Sequence, residues 1–184
     1  MRVFLDFEAS SLAKAGYPIE VAWVFQDGRE ETHLILPAQE WTDWDTGSEA
    51  VHGIARVTLL SEGTPHEVVA RRMVEQLTGH DLFASAPSWD GKWLSALLRA
   101  ADLPRHALRL RDTDDAQMEI AREVLGRVAD GAELDDAAKA AIAQGNMRAN
   151  TATPAHRALA DARAELGRWL AVRAAAEAQA AGRR

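Results

Sequence analysis

Apolar positions along the chain come in short runs separated by turn-forming residues. Residues 2–7 (RVFLDF) are apolar apart from the Arg that opens them and Asp6, and predict a short buried strand. Residues 18–26 (PIEVAWVFQ) predict a second strand, Asp27-Gly28 a hairpin turn, and residues 31–36 (ETHLIL) a third strand. The chain therefore opens as an antiparallel meander. Residues 37–63 follow as a long irregular connection, of a length that usually carries function or short helices. Thr64-Pro65 predicts a helix start, with Thr64 as N-cap, Pro65 in the first turn and Glu67 as the capping-box acid. That helix runs to about Leu77 and ends at Gly79. A fourth strand is expected at 81–86, a helix at 89–101, a fifth strand at 108–111 and a helix at 114–128. Residues 129–150, rich in Ala and Asp with Gly131 and Gly145, read as a loosely packed helical insertion. Thr153-Pro154 opens the last helix, which continues into an alanine-rich tail whose final ten residues or so are expected to fray.

The order βββ-α-β-α-β-α-α predicts an α/β fold: a mixed five-stranded sheet flanked by helices. One domain spans residues 1–170, and 171–184 form a helical extension. Trp23, Trp93 and Trp169 fall on core positions. Trp89 either packs in the core or offers its face to a nucleic-acid base.

Composition narrows the function classes. The 184 residues hold 47% hydrophobic and 27% charged positions, the balance of a soluble globular domain. No apolar run is long enough to predict a transmembrane helix, and MRVFLDFEAS has no signal-peptide layout. The absence of cysteine removes disulfides, thiolate metal sites and cysteine nucleophiles, and agrees with a cytoplasmic location. A net charge of −7 argues against tight nonspecific binding to phosphate backbones. It does not oppose an enzyme that holds a few nucleotides through metal ions, since such a site needs local negative charge.

Asp6 and Glu8 stand two apart on a strand, so their side chains face the same way, about 7 Å apart along the backbone. Carboxylates so placed either lean together around a hard cation, or Glu8 has simply left the strand for solvent. Asp90 opens a helix, where an acid also serves the dipole alone. His156 and Asp161 lie five apart; on a helix they would be about 140° out of register after one turn, so one could ligate a metal and the other approach from the side. The dipeptide His80-Asp81 sits between a helix end and a strand, which does not suit a helical metal phosphohydrolase.

Taken together, FLDFEASSL, APSWDGKWL and HRALADA occur in an order and spacing that resembles the three motifs of the DEDDh 3′–5′ exonucleases. That family includes oligoribonuclease, ribonuclease T and the proofreading subunit of bacterial replicative polymerase. VHGI at 51–54 resembles the segment that contacts the terminal nucleotide, and Asp112-Thr113 the pair closing strand five. Ala9-Ser10-Ser11 and Ala86-Pro87-Ser88 depart from the family's Thr-Thr-Gly and His-Asn, at positions that shape substrate contacts. The resemblance implies a ribonuclease H-like fold and two Mg²⁺ or Mn²⁺ ions held by Asp6, Glu8, Asp90 and Asp161, with His156 as general base. It further implies that Ala9, Ser10, Leu12, His52 and Trp89 meet single-stranded DNA or RNA 3′ ends, short oligonucleotides among them, and it admits a homodimer. Two other readings stand beside it: an inactive nucleic-acid-binding or regulatory module on the same fold, and an interaction protein acting through its C-terminal helix.

Overall fold

The computed structural model describes residues 1–149 and 155–183. Strands β1 (Arg2–Ala9), β2 (Pro18–Phe25) and β3 (Glu30–Leu36) form the expected meander, β1 and β2 in antiparallel register with Asp6 opposite Ala22 and Glu8 opposite Glu20. The long connection carries two short helices, α1 (Thr46–His52) and α2 (Arg56–Glu62). After a two-residue strand, β4 (Thr64–Pro65), come α3 (His66–Leu77), β5 (Asp81–Ala84), α4 (Pro87–Ala100) and β6 (Leu110–Asp112). Three helices end the chain: α5 (Thr113–Leu125), α6 (Gly131–Ala149) and α7 (Ala158–Gly182). The sheet order is β4-β3-β2-β1-β5-β6, with β5 parallel to both β1 and β6.

Alternation along β1 decides what each face of the sheet does. Val3, Leu5 and Phe7 point into one core, shared with α3 and α4. Phe4 points into the other, with Val24, Phe83 and the apolar stripes of α5, α6 and α7. Asp6 and Glu8 continue the Phe4 side, so both acids lie on the face covered by α7. Because Trp169 packs near Phe4, with ring centroids 6.1 Å apart, α7 runs back along β1 and its first turn ends up over the two acids. Every residue of β2 is buried, as expected of a strand covered on both faces.

The structure corrects several expectations. The sheet has six strands, not five, because Thr64 and Pro65 pair in parallel with Ile35 and Leu36. Thr64 is therefore in extended pairing and does not cap α3; Pro65 takes the N-cap position without a side-chain bond, and Glu67 pairs with His66 at 3.3 Å in place of a capping box. Residues 131–149 form a helix packed closely, not loosely, against α7, with Ala137, Ala138, Ala141 and Gly145 buried. The alanine-rich tail stays helical to Gly182, with Ala175, Ala176 and Ala180 buried, where fraying was expected. The Thr153-Pro154 helix start lies outside the described residues; α7 begins at Ala158 with Arg157 as its N-cap. Trp23, Trp93 and Trp169 are core residues, at most 2% exposed.

The α6–α7 contact depends on Gly145. A Cβ there would sit 2.6 Å from the backbone N and Cα of Val172. Replacing Gly by Ala in a helix gains up to about 1 kcal/mol in propensity. A clash with backbone forces the helices apart and costs about 1–3 kcal/mol. Gly145→Ala is therefore expected to destabilise the protein by up to roughly 2 kcal/mol in urea unfolding; a raised midpoint would show that the helices are not held this close.

Candidate active site

Three carboxylates meet at one end of the sheet. Asp6, Glu8 and Asp161 each offer an oxygen, and these atoms lie within 4.8 Å of one another. The first two come from β1, where the register with β2 shifts just after Glu8. Asp161 comes from the first turn of α7, and its carboxylate accepts from the backbone N–H of Ala155 and of Arg157, both at 3.2 Å.

The cluster is electrostatically uncompensated. Burial first, and then Asp90, Glu8 and Asp161, push the Asp6 carboxyl up to about 9. Burial, then Asp161 and Glu20, raise Glu8 to about 7, against a downward pull from Arg157. Asp90, in the first turn of α4 and 4% exposed, is raised to about 6 by burial, opposed by backbone groups at Ala86 and Phe7. It stands beside Asp6 but outside the three-acid group. A divalent cation fits this donor set: it would offset both the burial and the mutual repulsion that raise Asp6 and Glu8. With only oxygen donors in the group, hard divalent cations are favoured.

Asp6, Glu8 and Asp90 open onto a cavity of about 470 Å³. Phe7, Ala9 and Trp93 line its wall, and Leu12, Val51 and Trp89 stand at 68%, 56% and 43% exposure. Trp89 thus stays out of the core and stacks on Trp93, with centroids 6.1 Å apart. The Nζ of Lys92 lies 4.0 Å from the Trp93 centroid and donates to Ala13 O at 2.7 Å, which ties the Leu12 loop to α4.

His52 ends α1, where Gly53 takes a left-handed conformation (φ 68°). Its ring is buried, and its Nδ1 accepts from Ile54 N at 3.0 Å. The tautomer therefore carries its proton on Nε2, which finds no partner among the described residues. Burial lowers its pKa and keeps the ring neutral. Ser10 is turned inward: it is fully buried and its hydroxyl accepts from Tyr17 N at 3.1 Å.

His156 lines the same cavity. It precedes α7 and adopts a left-handed backbone (φ 50°), so the helical angle expected between it and Asp161 does not apply. Asp112 caps α5 by accepting from Asp114 N at 2.9 Å, a structural role. Glu20 was not singled out from the sequence. It is 3% exposed, pairs with Arg157 at 2.7 Å and lies opposite Glu8. The signal was present, since an acid interrupts an apolar strand there as Asp6 does in β1.

No family model and no curated protein matches the sequence. Solved structures match in fold. The zinc-bound complex of Escherichia coli exonuclease I with single-stranded DNA superposes with a TM-score of 0.62 at 15% identity, covering 90% of this chain and 38% of that one. A structure of exonuclease I described as suggesting how processivity is achieved gives 0.63, also at 15% identity, covering 90% and 39%. The exonuclease I complex with a dT13 oligonucleotide gives 0.62 at 15% identity, covering 90% and 39%. The chain thus shares the exonuclease fold, over about two fifths of those proteins' length.

The raised carboxyl groups have a measurable consequence. Asp6 and Glu8 bind protons more tightly folded than unfolded, so they stabilise the metal-free protein at low pH and lose that contribution as pH rises towards about 9. Metal-free protein should melt at falling temperature from about pH 5 to pH 9. Excess Mg²⁺ should flatten that slope, and Asp6→Asn should remove most of it, each kcal/mol being worth roughly 2–4 °C in a chain of this size. An identical slope in all three samples would refute the uncompensated cluster.

Proposed function

We propose that the protein is a metal-dependent 3′–5′ exonuclease that releases 5′-mononucleotides from single-stranded DNA or RNA ends. One observation carries this reading. Asp6, Glu8, Asp90 and His156, far apart in the chain, border one cavity with apolar and aromatic walls, and Asp161 meets Asp6 and Glu8 there. Its volume suits a single nucleoside with the adjoining phosphate at the acids. The single-stranded DNA in the exonuclease I complexes favours DNA as the first substrate to try.

In this reading Asp6, Glu8, Asp90 and Asp161 would hold two ions of Mg²⁺ or Mn²⁺. Such ions would supply charge neutralisation at the scissile phosphate. His156, exposed at the cavity edge, accepts the proton of the attacking water. Water oxygen bonds to phosphorus, the bond from phosphorus to O3′ of the preceding nucleotide breaks, and that oxygen leaves as a new 3′ hydroxyl after taking up a proton from solvent. Leu12 and Trp89 offer apolar and aromatic surface against the terminal base. The orphan Nε2–H of His52 donates to an acceptor on the terminal nucleotide. Ser10 supports the loop from below.

A second reading is an inactive binding or regulatory module on the same fold. The complete acid set weighs against it, and the two part on metal binding: such a module should bind Mn²⁺ weakly.

Asp6→Ala and Asp161→Ala are expected to lower the rate on 5′-labelled single-stranded oligomers with Mn²⁺ by at least about 10³-fold, with far-UV circular dichroism unchanged. His156→Ala should lose roughly 10²–10⁴-fold while keeping its affinity for Mn²⁺. The proposal fails if wild-type protein leaves both DNA and RNA uncut, or if the Asp variants bind Mn²⁺ as well as wild type.

A further inference from the structure

Glu20 has no part in the chemistry just described, yet it is buried beside it. It sits on β2 directly opposite Glu8 and is 3% exposed. A buried carboxylate is costly unless its oxygens are met by donors. Here three donors meet them: Arg157 Nε at 3.1 Å, Arg157 Nη2 at 2.7 Å and the backbone N–H of Ala158 at 2.9 Å. With both oxygens engaged, Glu20 is not offered to a cation, and it does not belong to the group formed by Asp6, Glu8 and Asp161. The Arg157 guanidinium also opposes the charge that Glu20 adds beside Glu8.

These bonds fall on one turn of chain. Arg157 is the N-cap residue of α7, and its side chain makes no capping bond. Ala158 is the first helical residue, whose N–H has no partner within the helix. Glu20 therefore supplies from the sheet the carboxylate that helix starts usually take from their own N-cap. From the other side, Asp161 accepts from the N–H groups of Ala155 and Arg157. His156 lies between these two fastenings in a left-handed conformation that a residue with a Cβ adopts only when its surroundings impose it.

We propose that the Glu20–Arg157 pair is a positioning latch: it anchors the start of α7 to β2 so that Asp161 reaches the Asp6–Glu8 pair and His156 stays at the cavity. The latch rests on the exonuclease reading for its purpose, but its geometry can be tested apart from activity. Glu20 and Arg157 touch no substrate in this scheme; they act through Asp161 and His156.

The test uses Glu20→Gln, Arg157→Gln and Arg157→Lys in the full chain. Amide hydrogen exchange, Mn²⁺ titration calorimetry and steady-state kinetics on a single-stranded oligonucleotide are read together. In Glu20→Gln, amides at 155–161 should exchange at least tenfold faster, with those of β1 and α4 unchanged. Mn²⁺ affinity should fall at least threefold, and kcat at least tenfold with KM within twofold, because the nucleoside pocket is untouched. Arg157→Gln should repeat this pattern, which covers the case in which Glu20→Gln does not fold, and Arg157→Lys should recover part of the loss. Wild-type exchange at 155–161 with wild-type Mn²⁺ affinity overturns the latch. So does faster exchange spread evenly over the molecule, which marks a merely structural pair. If the wild type binds no Mn²⁺ and cuts nothing, the exonuclease reading falls, and local exchange alone judges the latch.

Discussion

Repulsion among carboxylates gathered in a half-buried place is the constraint around which this molecule is arranged. Two unit charges 4.8 Å apart, the outer limit within the three-acid group, repel by about 3–4 kcal/mol at an effective dielectric near 20. Such a cluster does not assemble by its own affinity. It is imposed by packing: Leu166, Trp169 and Val172 on α7 are buried in the core that includes Phe4 and Phe83 of the sheet, and each large apolar side chain removed from water contributes roughly 1.5–3 kcal/mol. The helix docks for hydrophobic reasons, and docking delivers Asp161 to Asp6 and Glu8. Burial first, and then this repulsion, favours protons on Asp6 and Glu8, whose carboxyl groups are raised to about 9 and about 7. A cation would replace those protons.

Stability and chemistry are thus divided along the same elements. On β1, the odd positions Val3, Leu5 and Phe7 serve one core. The even positions begin in the other core with Phe4 and end in the acids. On α7 the same division runs along the helix axis, from Asp161 near its start to Trp169 and the buried alanines further on. Small residues carry the second half of that arrangement. Ala137, Ala138, Ala141, Ala175 and Ala176 let α6 and α7 approach closely, and Gly145 marks the nearest contact with Val172. The cavity side is built differently, from apolar side chains left exposed at a rim and a buried histidine whose ring proton has no partner among the described residues.

Much of this was legible in the chain itself, and the reason is that it depends on local periodicity. Strand alternation located the meander and placed Asp6 and Glu8 on a single face. An acid breaking the apolar run in RVFLDF was visible without coordinates, and the order of Asp90, His156 and Asp161 gave that acid a context. Trp23, Trp93 and Trp169 could be assigned to the core because their neighbours repeat at the right interval. Glu20 carried the same mark as Asp6 and was overlooked, because its partner lies 137 residues away and nothing local points to Arg157.

Tertiary contacts decided the rest. Thr64-Pro65 has the composition of a helix start, yet pairing with Ile35 and Leu36 drew it into the sheet, since two exposed backbone edges gain more by bonding each other than Thr64 gains by capping. The alanine-rich stretches looked loose because alanine shows little amphipathic contrast, and only the opposing helix reveals that their smallness is what permits close packing. His156 looked like part of a helix, while bonds from Asp161 hold its neighbours just ahead of one. The sequence by itself determined which residues could bear charge in which strand or helix. The tertiary structure alone decided which of those charges would meet, because that depends on distances between segments far apart in the chain, and no local pattern encodes them.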